Sequence, residues 1–494
     1  MRHLLRHKID VALIALATFA IYLPRPFFSN QNQYLLHAVA ASDSRLQGDW
    51  LAGTLDTNQF FTRVTTPLFS IAGESAIQCS TYIIFAIGLG ALLAFTRAIF
   101  NSSLIARIVL LVIAIAQSPN IELLHRSGKW LSSTLVPFQG LGGQYILIRE
   151  GYIQPSVGAV FLIVALVLLL RNRIFLAAVS AVIATAIHPS LLFSSLALSG
   201  LYLLSQWLSA KSWNSQQFLF YLAFAATNIV ITFLLNPNYL KLLSSTGEEK
   251  RALTRFAFER IPHHTLISHW KSSDLYLVGL WIVAIALAFL VIRLRWLGYF
   301  LSFALVISLG SALLVEKTRN TSLALLFPWR LSVVLAPLIF ALVIGSLISR
   351  ISARGLRATL IATIVVTLPL SAVSADQTLH PDTSPTQLES TWKSNKPTGT
   401  GFIPISLESL RLELRAPIYV DWKSPPYIGR DLVEWWHRID TARAIEKNVT
   451  TFCDLDNEKS FGWVVWPSRS AKPLCLTSNF RELDAGEYQL FIRR

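Results

Sequence analysis

The chain has 494 residues, of which 53% are hydrophobic and only 14% are charged, and its mean hydropathy is +0.51. Soluble proteins usually carry about 25% charged residues, so the composition excludes an ordinary soluble globular protein. The formal net charge of +15 does not indicate a nucleic-acid partner, because the basic residues follow the pattern of a membrane protein described below.

Apolar runs recur through the first three quarters of the chain, and most reach the length of about 18–20 residues that crosses a hydrocarbon core of roughly 30 Å. They predict about eleven membrane-spanning helices, with ten to about twelve as the range, because the third and fifth runs are short. The first run has no small-residue cleavage site after it, so we interpret it as a retained span rather than a signal peptide. The predicted spans are Ile9–Phe28, Ile77–Phe95, Leu104–Gln117, Tyr152–Leu170, Ile174–Ile187, Ser190–Leu208, Phe218–Leu235, Leu275–Ile292, Leu297–Val315, Leu331–Ile348 and Ala358–Val373.

The charged residues between these runs predict the orientation. If the N-terminus is cytoplasmic, the cytoplasmic segments contain Lys and Arg but no Asp or Glu. Every Asp or Glu of the chain except Asp10 then falls in the other loops. This matches the positive-inside bias of membrane proteins. Eleven spans then place the C-terminus outside, in the plasma membrane or, in a cell with two membranes, the inner membrane.

The predicted domains follow from the same pattern. Residues 1–373 form the membrane domain, with large outer loops at 29–76, 118–151 and 236–274, and the apolar run Leu68–Ala72 is too short to cross. Residues 374–396 are rich in Ser, Thr, Pro and Asp and are typical of a linker. Residues 397–494 alternate predicted strands (GFIPI, PIYVDW, GWVVWP, PLCLTS, YQLFIRR) with predicted helices (LESLRLELRA, GRDLVEWWHRIDTARAIEK). This alternation predicts a small extracytoplasmic α/β domain.

Cys453 and Cys475 both fall in that domain. They would pair as a disulfide in an oxidising compartment, and two unpaired cysteines are equally compatible with the sequence.

The polar chemistry is concentrated on the predicted outer side. The interiors of the spans contain essentially no ionisable residues, which disfavours an ion-coupled transporter, since transporters place such residues near the bilayer middle. Eight of the ten histidines lie in outer segments: His37, His125, His188, His263, His264, His269, His380 and His437. The pattern favours an enzyme that acts at the outer membrane surface.

Transfer from a lipid-phosphate donor would require a carboxylate that deprotonates the acceptor or holds a divalent metal. The first outer loop supplies Asp49 as the first candidate and Asp43 as the second. Cations that stabilise the leaving phosphate are also required. The candidate substrate and phosphate contacts are His37, Arg126, Lys129, Arg260, His263, His264 and Arg330.

Several of these assignments have alternatives. The adjacent His263 and His264 are compatible with a metal site, with phosphate or sugar contact, or with a structural role; a divalent metal is possible, and its ligands are unknown. His188 is either a surface polar group or a turn residue. The tryptophans near Asp421 and Glu434 suggest sugar stacking, and core packing is the simpler interpretation. Residues Glu248–Ile261 are spaced like a short amphipathic helix that lies on lipid headgroups.

Several local motifs accompany the overall layout: Tyr34-Leu35, Gly48-Asp49-Trp50-Leu51, Arg260-x-Pro262-His263-His264, Phe-Pro-Trp-Arg330 and Val420-Asp421-Trp422-Lys423, followed by Pro426 and Glu434-Trp435. In this layout and these motifs the chain resembles the GT-C superfamily of integral-membrane glycosyltransferases, and within it a group of uncharacterised bacterial membrane proteins. The resemblance implies a catalytic acid in the first outer loop and a polyprenyl-phosphate-linked sugar donor. Many members carry an acidic pair just after the first span, where this chain has Asn30-Gln31-Asn32-Gln33.

The sequence therefore predicts a glycosyltransferase that moves a sugar from a lipid-linked donor to an acceptor at the outer face, with membrane lipids as partners and no nucleic acid. The alternatives are a lipid-linked glycan flippase or exporter, and a non-catalytic membrane assembly protein. The sequence does not specify the sugar, the acceptor or the oligomeric state.

Overall fold

The computed structural model describes residues 2–22, 27, 30–121, 136–146, 152–210, 215–243, 245–379 and 386–494. The chain divides into two compact units. The first, called the helical unit, comprises Met1–Pro24, Gln78–Asn236 and Thr254–Pro381. The second, called the mixed unit, comprises Arg25–Ile77, Pro237–Leu253 and Asp382–Arg494.

The long helices of the first three quarters match the predicted apolar runs one by one. They are α1 (Arg2–Ile21), α2 (Gln59–Phe100), α3 (Ser103–Gln117), α4 (Gly158–Leu170), α5 (Ile174–Ile187), α6 (Leu192–Ala210), α7 (Ser215–Leu235), α8 (Ser272–Leu290), α9 (Arg295–Thr318), α10 (Leu331–Ile348) and α11 (Ala353–Leu379). Within the described residues, seven helical stretches are long and apolar enough to cross a membrane, and three shorter helices are also apolar. These helices support a polytopic α-helical membrane protein, and eleven crossings stay a prediction.

Helix α2 is interrupted at Ala72 and Gly73, whose backbone angles are not helical. The short run Leu68–Ala72 therefore belongs to a separate helical segment, which ends just before the predicted span Ile77–Phe95. Gly73 has a φ of +57°, a conformation that glycine adopts without steric cost. The interruption agrees with the prediction that this run does not itself cross the membrane.

The helices differ in how much of their surface is covered by protein. Helix α10 is central, because 78% of the apolar window in its stretch, Thr321–Ile348, is buried. In the stretch Phe218–Leu235 of α7 the buried share is only 17%. Since exposed apolar side chains on a membrane helix face lipid, α7 lies at the periphery of the helical unit.

Hydrogen bonds between uncharged side chains connect α5, α6 and α7. Asn228 donates from Nδ2 to Oγ of Ser195 over 2.9 Å and accepts from Oγ1 of Thr185 over 2.6 Å. Thr232 donates to Thr185 over 2.9 Å. Polar groups between membrane helices need partners within the protein because lipid offers none, so this network stabilises the helix contacts.

The mixed unit contains a four-stranded sheet in the order β3-β4-β6-β5. The strands are β3 (Gly401–Phe402), β4 (Trp463–Pro467), β5 (Phe480–Ala485) and β6 (Tyr488–Arg493); β3 is parallel to β4, and the other pairs are antiparallel. Helices α12 (Gln387–Asn395), α13 (Gly429–Lys447), α14 (Thr451–Lys459) and α15 (Leu474–Asn479) accompany the sheet. The short helices of the unit are Gln31–Tyr34, Leu36–Ser42, Ser44–Leu46, Leu51–Gly53, Tyr239–Leu243 and Leu410–Glu413.

Three predictions about this region were wrong. PLCLTS lies largely in α15 rather than in a strand, since a short apolar run does not distinguish the two. PIYVDW makes one isolated bridge, Ile418 to Gly401, and the amide of Ile418 instead donates to Asp49 over 3.1 Å. The predicted linker is partly helical, because α11 extends to Leu379 and α12 begins after a capping box in which Thr386 and Glu389 satisfy each other's backbone amides.

The mixed unit is larger than the predicted domain of residues 397–494, because most of the predicted outer loop 29–76 and part of the predicted outer loop 236–274 belong to it. Cys453 and Cys475 form a disulfide, which resolves the alternative that the sequence left open. The tryptophans of the predicted sugar-stacking group are mainly core residues: Trp435 and Trp436 are buried, and Trp422 stacks on Trp435 with 5.6 Å between ring centroids.

Candidate anion-binding site

A tight hairpin in the predicted outer loop 118–151 forms the base of the candidate site in the helical unit. Strands β1 (Gln139–Gly140) and β2 (Gln144–Tyr145) pair antiparallel around a turn at Leu141–Gly143. Gly142 and Gly143 have φ angles of +71° and +63°, which are typical of glycine in a turn. A Cβ on Gly140 would lie 2.6 Å from the backbone nitrogen of Val333, so only glycine permits this approach to the start of α10.

His264 is fixed by two backbone contacts. Its Nδ1–H donates to the carbonyl oxygen of Gly142, and the indole Nε1 of Trp329 donates to the His264 carbonyl over 2.9 Å. His264 lies in the short helix Pro262–Thr265, which follows a π-helical turn at Phe256–Arg260. Such turns are rare and occur frequently at functional sites. The predicted amphipathic segment is thus one helix, Gly247–Arg255, followed by this turn.

Arg330 is the centre of the site. It ends the short helix Pro328–Arg330 that leads into α10. Its Nε donates to Oε1 of Gln144 over 2.7 Å, and one terminal nitrogen contacts Oγ of Ser190 and lies 3.4 Å from Nε2 of His188. Its guanidinium carbon lies 4.4 Å from the centroid of the Phe327 ring. These contacts hold the planar fork in one orientation.

His188 and Ser190 come from the turn between α5 and α6. Oγ of Ser190 and Nε2 of His188 are 3.0 Å apart. An arginine does not accept hydrogen bonds, so the contact with Arg330 requires the Nε2 of His188 to be the acceptor and the imidazole to be neutral. His188 therefore does more than close a turn: it belongs to the arginine cluster.

The electrostatics of the site favour an anion. Burial, followed by Arg330, lowers the pKa of His188 well below its usual value. Burial lowers the pKa of His264 to about 3, with a further contribution from His263 and smaller ones from Arg330 and Arg260. The two imidazoles are uncharged at neutral pH chiefly because they are buried, and the positive charge around them adds to the effect. An anion placed here would relieve that repulsion.

Two further groups complete the site. Among the described residues, the Nε2 of Gln144 is one of the buried donors without a hydrogen-bond partner, and it belongs to the side chain that Arg330 contacts. Asp274, at the start of α8, accepts from the amide of Lys271 over 2.8 Å and from the amide of Gly143 over 3.4 Å. Asp274 thereby fixes the hairpin turn, and as the third residue of α8 it also binds the backbone amide of the N-cap residue, Lys271.

The structure brings together four of the predicted contacts: Arg260, His263, His264 and Arg330. The rings of His263 and His264 have their centroids 4.0 Å apart, and Arg260 is buried. Arg126 and Lys129 lie outside the described residues. His37 is in the mixed unit, half-buried on the helix Leu36–Ser42. Sequence reasoning did not select Gln144, Ser190 or Asp274. The signal in the sequence for Gln144 is the preceding pair of glycines, and the signal for Ser190 is the preceding His-Pro turn.

Asp43 is half-buried in the mixed unit. Its carboxylate accepts two hydrogen bonds from the guanidinium of Arg45, over 2.9 and 2.6 Å, and one from the Arg45 amide over 3.1 Å. Arg415 lies 3.8 Å from the same carboxylate. The hydrogen bond with Arg45 holds the pKa of Asp43 below its usual value. Asp43 is therefore an ionised carboxylate with 19% of its side chain exposed.

Asp49 has a different environment within the same unit. Its side chain is fully buried and accepts from Nε of Arg411 over 3.0 Å, from the amide of Ile418 over 3.1 Å and from the amide of Ala52 over 3.1 Å. Three donors occupy a carboxylate that has no exposed surface. This geometry fits a structural role, and the catalytic role of Asp49 stays a prediction.

Within the described residues, no group of three or more His, Cys, Asp or Glu side chains is arranged to hold a metal ion. The described side chains of the site are cations and hydrogen-bond donors, which suit a phosphate or carboxylate. A comparison with protein-family models found no match, and a comparison with curated proteins found no significant relative.

Proposed function

We propose that the protein is a membrane-embedded glycosyltransferase that takes a sugar from a polyprenyl-phosphate-linked donor. The observation that carries the proposal is the cluster of Arg330, His188, Ser190 and Gln144, together with Arg260 and His264, at one end of apolar helices. A phosphate ester whose hydrocarbon tail lies in lipid has the chemistry that such a site recognises.

The role of the cluster would be to stabilise the leaving phosphate. When the bond between the anomeric carbon and the phosphate oxygen breaks, negative charge grows on the phosphate. Arg330 is held in one orientation before the substrate arrives, so it would stabilise that charge without reorganising. The unpartnered Nε2 of Gln144 would supply a further donor.

The proposed acceptor chemistry takes place on the extracytoplasmic side. Three segments that the charge pattern places outside, residues 25–77, 237–253 and the C-terminal region, belong to the one mixed unit. The Cys453–Cys475 disulfide supports an oxidising compartment for that unit. Of the two predicted carboxylates, Asp43 has exposed surface, and we assign it the role of accepting the acceptor's proton.

The test is sugar release by the purified full chain in proteoliposomes with a panel of radiolabelled polyprenyl-phosphate sugars. Arg330→Gln should lower the rate with the active donor by about 10–100-fold, the range for losing a charged hydrogen bond. Arg330→Lys should restore only part of it, because an ammonium lacks the guanidinium fork. Arg354→Gln, which removes an exposed arginine on α11, is the matched control.

Binding is measured separately from catalysis. Polyprenyl phosphate without sugar should raise the unfolding temperature of the native protein and of Asp43→Asn, and should not raise that of Arg330→Gln. Binding without release of any sugar by the native protein would contradict the transferase and favour a carrier of lipid-linked glycans. Equal stabilisation of native protein and Arg330→Gln would exclude the cluster as the phosphate site.

A further inference from the structure

A cavity separate from the anion-binding site lies in the helical unit among α4, α5, α6 and α7. Its volume is about 320 Å³, within the range of roughly 300–1,000 Å³ for ligand pockets. Aromatic side chains form a large part of its walls: Tyr202, Trp207, Phe218, Phe220, Tyr221 and Phe224. The other walls are mostly aliphatic, with polar side chains at Asn172, Ser199 and Gln206.

This cavity is at the opposite end of the helices from Arg330. It is lined by Leu169, Asn172 and Ile174 at the α4–α5 turn, whereas His188 follows the last residue of α5. Helix α5 has 14 residues, so the two ends are separated by about 20 Å at 1.5 Å per residue. The cavity and the anion site are therefore independent.

The cavity opens toward the lipid side. Phe218, Phe220 and Trp207 line it and are 38%, 37% and 39% exposed, and the neighbouring Phe175 on α5 is 70% exposed. Exposed apolar surface on membrane helices is covered by hydrocarbon. The hydrocarbon chains of a bilayer would therefore adjoin the opening of this cavity.

Exposed arginines surround the same end of the helices. Arg171 and Arg173 flank the cavity residue Asn172. Arg293 and Arg295 are exposed in the α8–α9 turn, and the neighbouring Trp296 packs edge-on against Tyr202 with 5.8 Å between centroids. The sequence has no Asp or Glu between Glu150 and Glu248, and none between Asp274 and Glu316. The headgroup region next to the cavity thus has basic residues without acids from these segments.

We propose that this cavity is a binding site for an anionic diacyl phospholipid. One acyl chain occupies the aromatic cavity, and the phosphate headgroup lies against Arg171 and Arg173, with Arg293 and Arg295 contributing to the positive potential. The charge pattern predicts that this end faces the cytoplasm, where basic pockets between membrane helices attract anionic headgroups. The bound lipid would fix the α4–α5 turn against α6 and α7.

The test is native mass spectrometry of the purified full chain in detergent, titrated with phosphatidylglycerol or phosphatidylcholine carrying the same palmitoyl and oleoyl chains. The native protein should retain phosphatidylglycerol preferentially. The double variant R171Q/R173Q should bind it about 25-fold more weakly, because each basic residue near an anionic headgroup contributes about fivefold. Binding of phosphatidylcholine should not change.

Two further variants separate the cavity from general charge. Ala178→Trp places a large side chain at a cavity-lining position and should weaken binding of both lipids. R350Q/R354Q removes two exposed arginines elsewhere and should leave both affinities unchanged. If the native protein retained the two lipids equally, the assignment of the headgroup site to the arginines would be wrong. If Ala178→Trp bound both lipids as well as the native protein does, the assignment of the acyl chain to the cavity would be wrong.

Discussion

The Nε of Arg411 donates to Oδ2 of Asp49 over 3.0 Å, and at most 1% of either side chain is exposed. The same guanidinium contacts Asp421, which is equally buried. Asp49 and Arg411 are 362 residues apart in the chain. This ion pair therefore fixes the segment predicted as the first outer loop within the mixed unit, and it makes that segment part of a folded domain rather than a connector.

Arg411→Met should strongly destabilise the mixed unit. The variant leaves two buried carboxylates without their cation, and breaking a buried pair in this way costs about 3–5 kcal/mol. Unfolding of the full chain followed by tryptophan fluorescence measures the effect, since Trp435 and Trp436 are buried in this unit. The control is Lys472→Met, which removes a more exposed pair with Glu482 at 2.8 Å and should cost less than about 1 kcal/mol. Similar losses in both variants would contradict the structural role of the pair.

Asp43→Asn and Asp49→Asn should fail in different ways. Asp43 caps the short helix Ser44–Leu46, and asparagine is an equally good cap, so Asp43→Asn should fold normally and lose sugar release. Asp49→Asn should lower the unfolding temperature, because Arg411 loses a charged partner. Sugar release and unfolding temperature are measured on the same samples. Full activity in well-folded Asp43→Asn would remove the proposed role of Asp43, and a fully stable but inactive Asp49→Asn would return the catalytic role to Asp49.

The helices of the membrane region were predictable because their signal is local. Length and apolarity alone determine whether a segment such as Leu331–Ile348 forms a helix in lipid, and its observed bounds are the predicted ones. The glycines of the Leu141–Gly143 turn were also recognisable as turn residues, since positive φ angles favour glycine.

The contacts that build the site and the mixed unit were not predictable from the chain alone. Gln144 and Arg330 are separated by 186 residues, and Asp49 and Arg411 by 362. The periodicity of a sequence does not indicate which distant polar residues are in contact. Asp49 was selected because an acid in an apolar chain suggests chemistry, and the same property fits a buried structural carboxylate equally well.

Cys453 and Cys475 of the mixed unit should be joined by a disulfide in the isolated protein. Alkylation of the denatured full chain without reductant should modify Cys79 only, which is free and exposed, whereas prior reduction should expose all three cysteines. The double variant Cys453→Ala/Cys475→Ala should lose about 3 kcal/mol of stability, the value for a loop of this order of length. Modification of three cysteines before reduction, in protein isolated under alkylating conditions, would contradict both the bond and the oxidising compartment.

Gly142→Ala and Gly143→Ala form a matched pair at the anion site. Both positions have positive φ, so alanine should cost about 1 kcal/mol or more at each. A Cβ on Gly142 would also lie 3.1 Å from the carbonyl oxygen of His264, whereas nothing lies within 4 Å of one on Gly143. Only Gly142→Ala should therefore displace His264 and weaken stabilisation by polyprenyl phosphate. Equal binding by the two variants would show that the position of His264 does not matter for the ligand.

Acid should destabilise the helical unit through His264. The folded-state pKa of this residue is about 3, chiefly because of burial and then the neighbouring His263, and an unfolded histidine has a pKa of about 6.5. Between these values the unfolded chain binds more protons, so stability is complete above pH 6.5 and decreases as the pH falls. From pH 6.5 to 5 the loss should be about 1–2 kcal/mol.

The measurement is the unfolding temperature of the full chain between pH 7.5 and 5, with His264→Gln compared to the native protein. The variant should be less stable at pH 7.5, because glutamine does not reproduce the contact with the Gly142 carbonyl, and it should show a shallower decrease on acidification. His437→Gln replaces an exposed histidine of the mixed unit and should keep the native slope. An unchanged slope in His264→Gln would mean that the acid sensitivity arises from another group, such as His188, whose pKa burial also lowers.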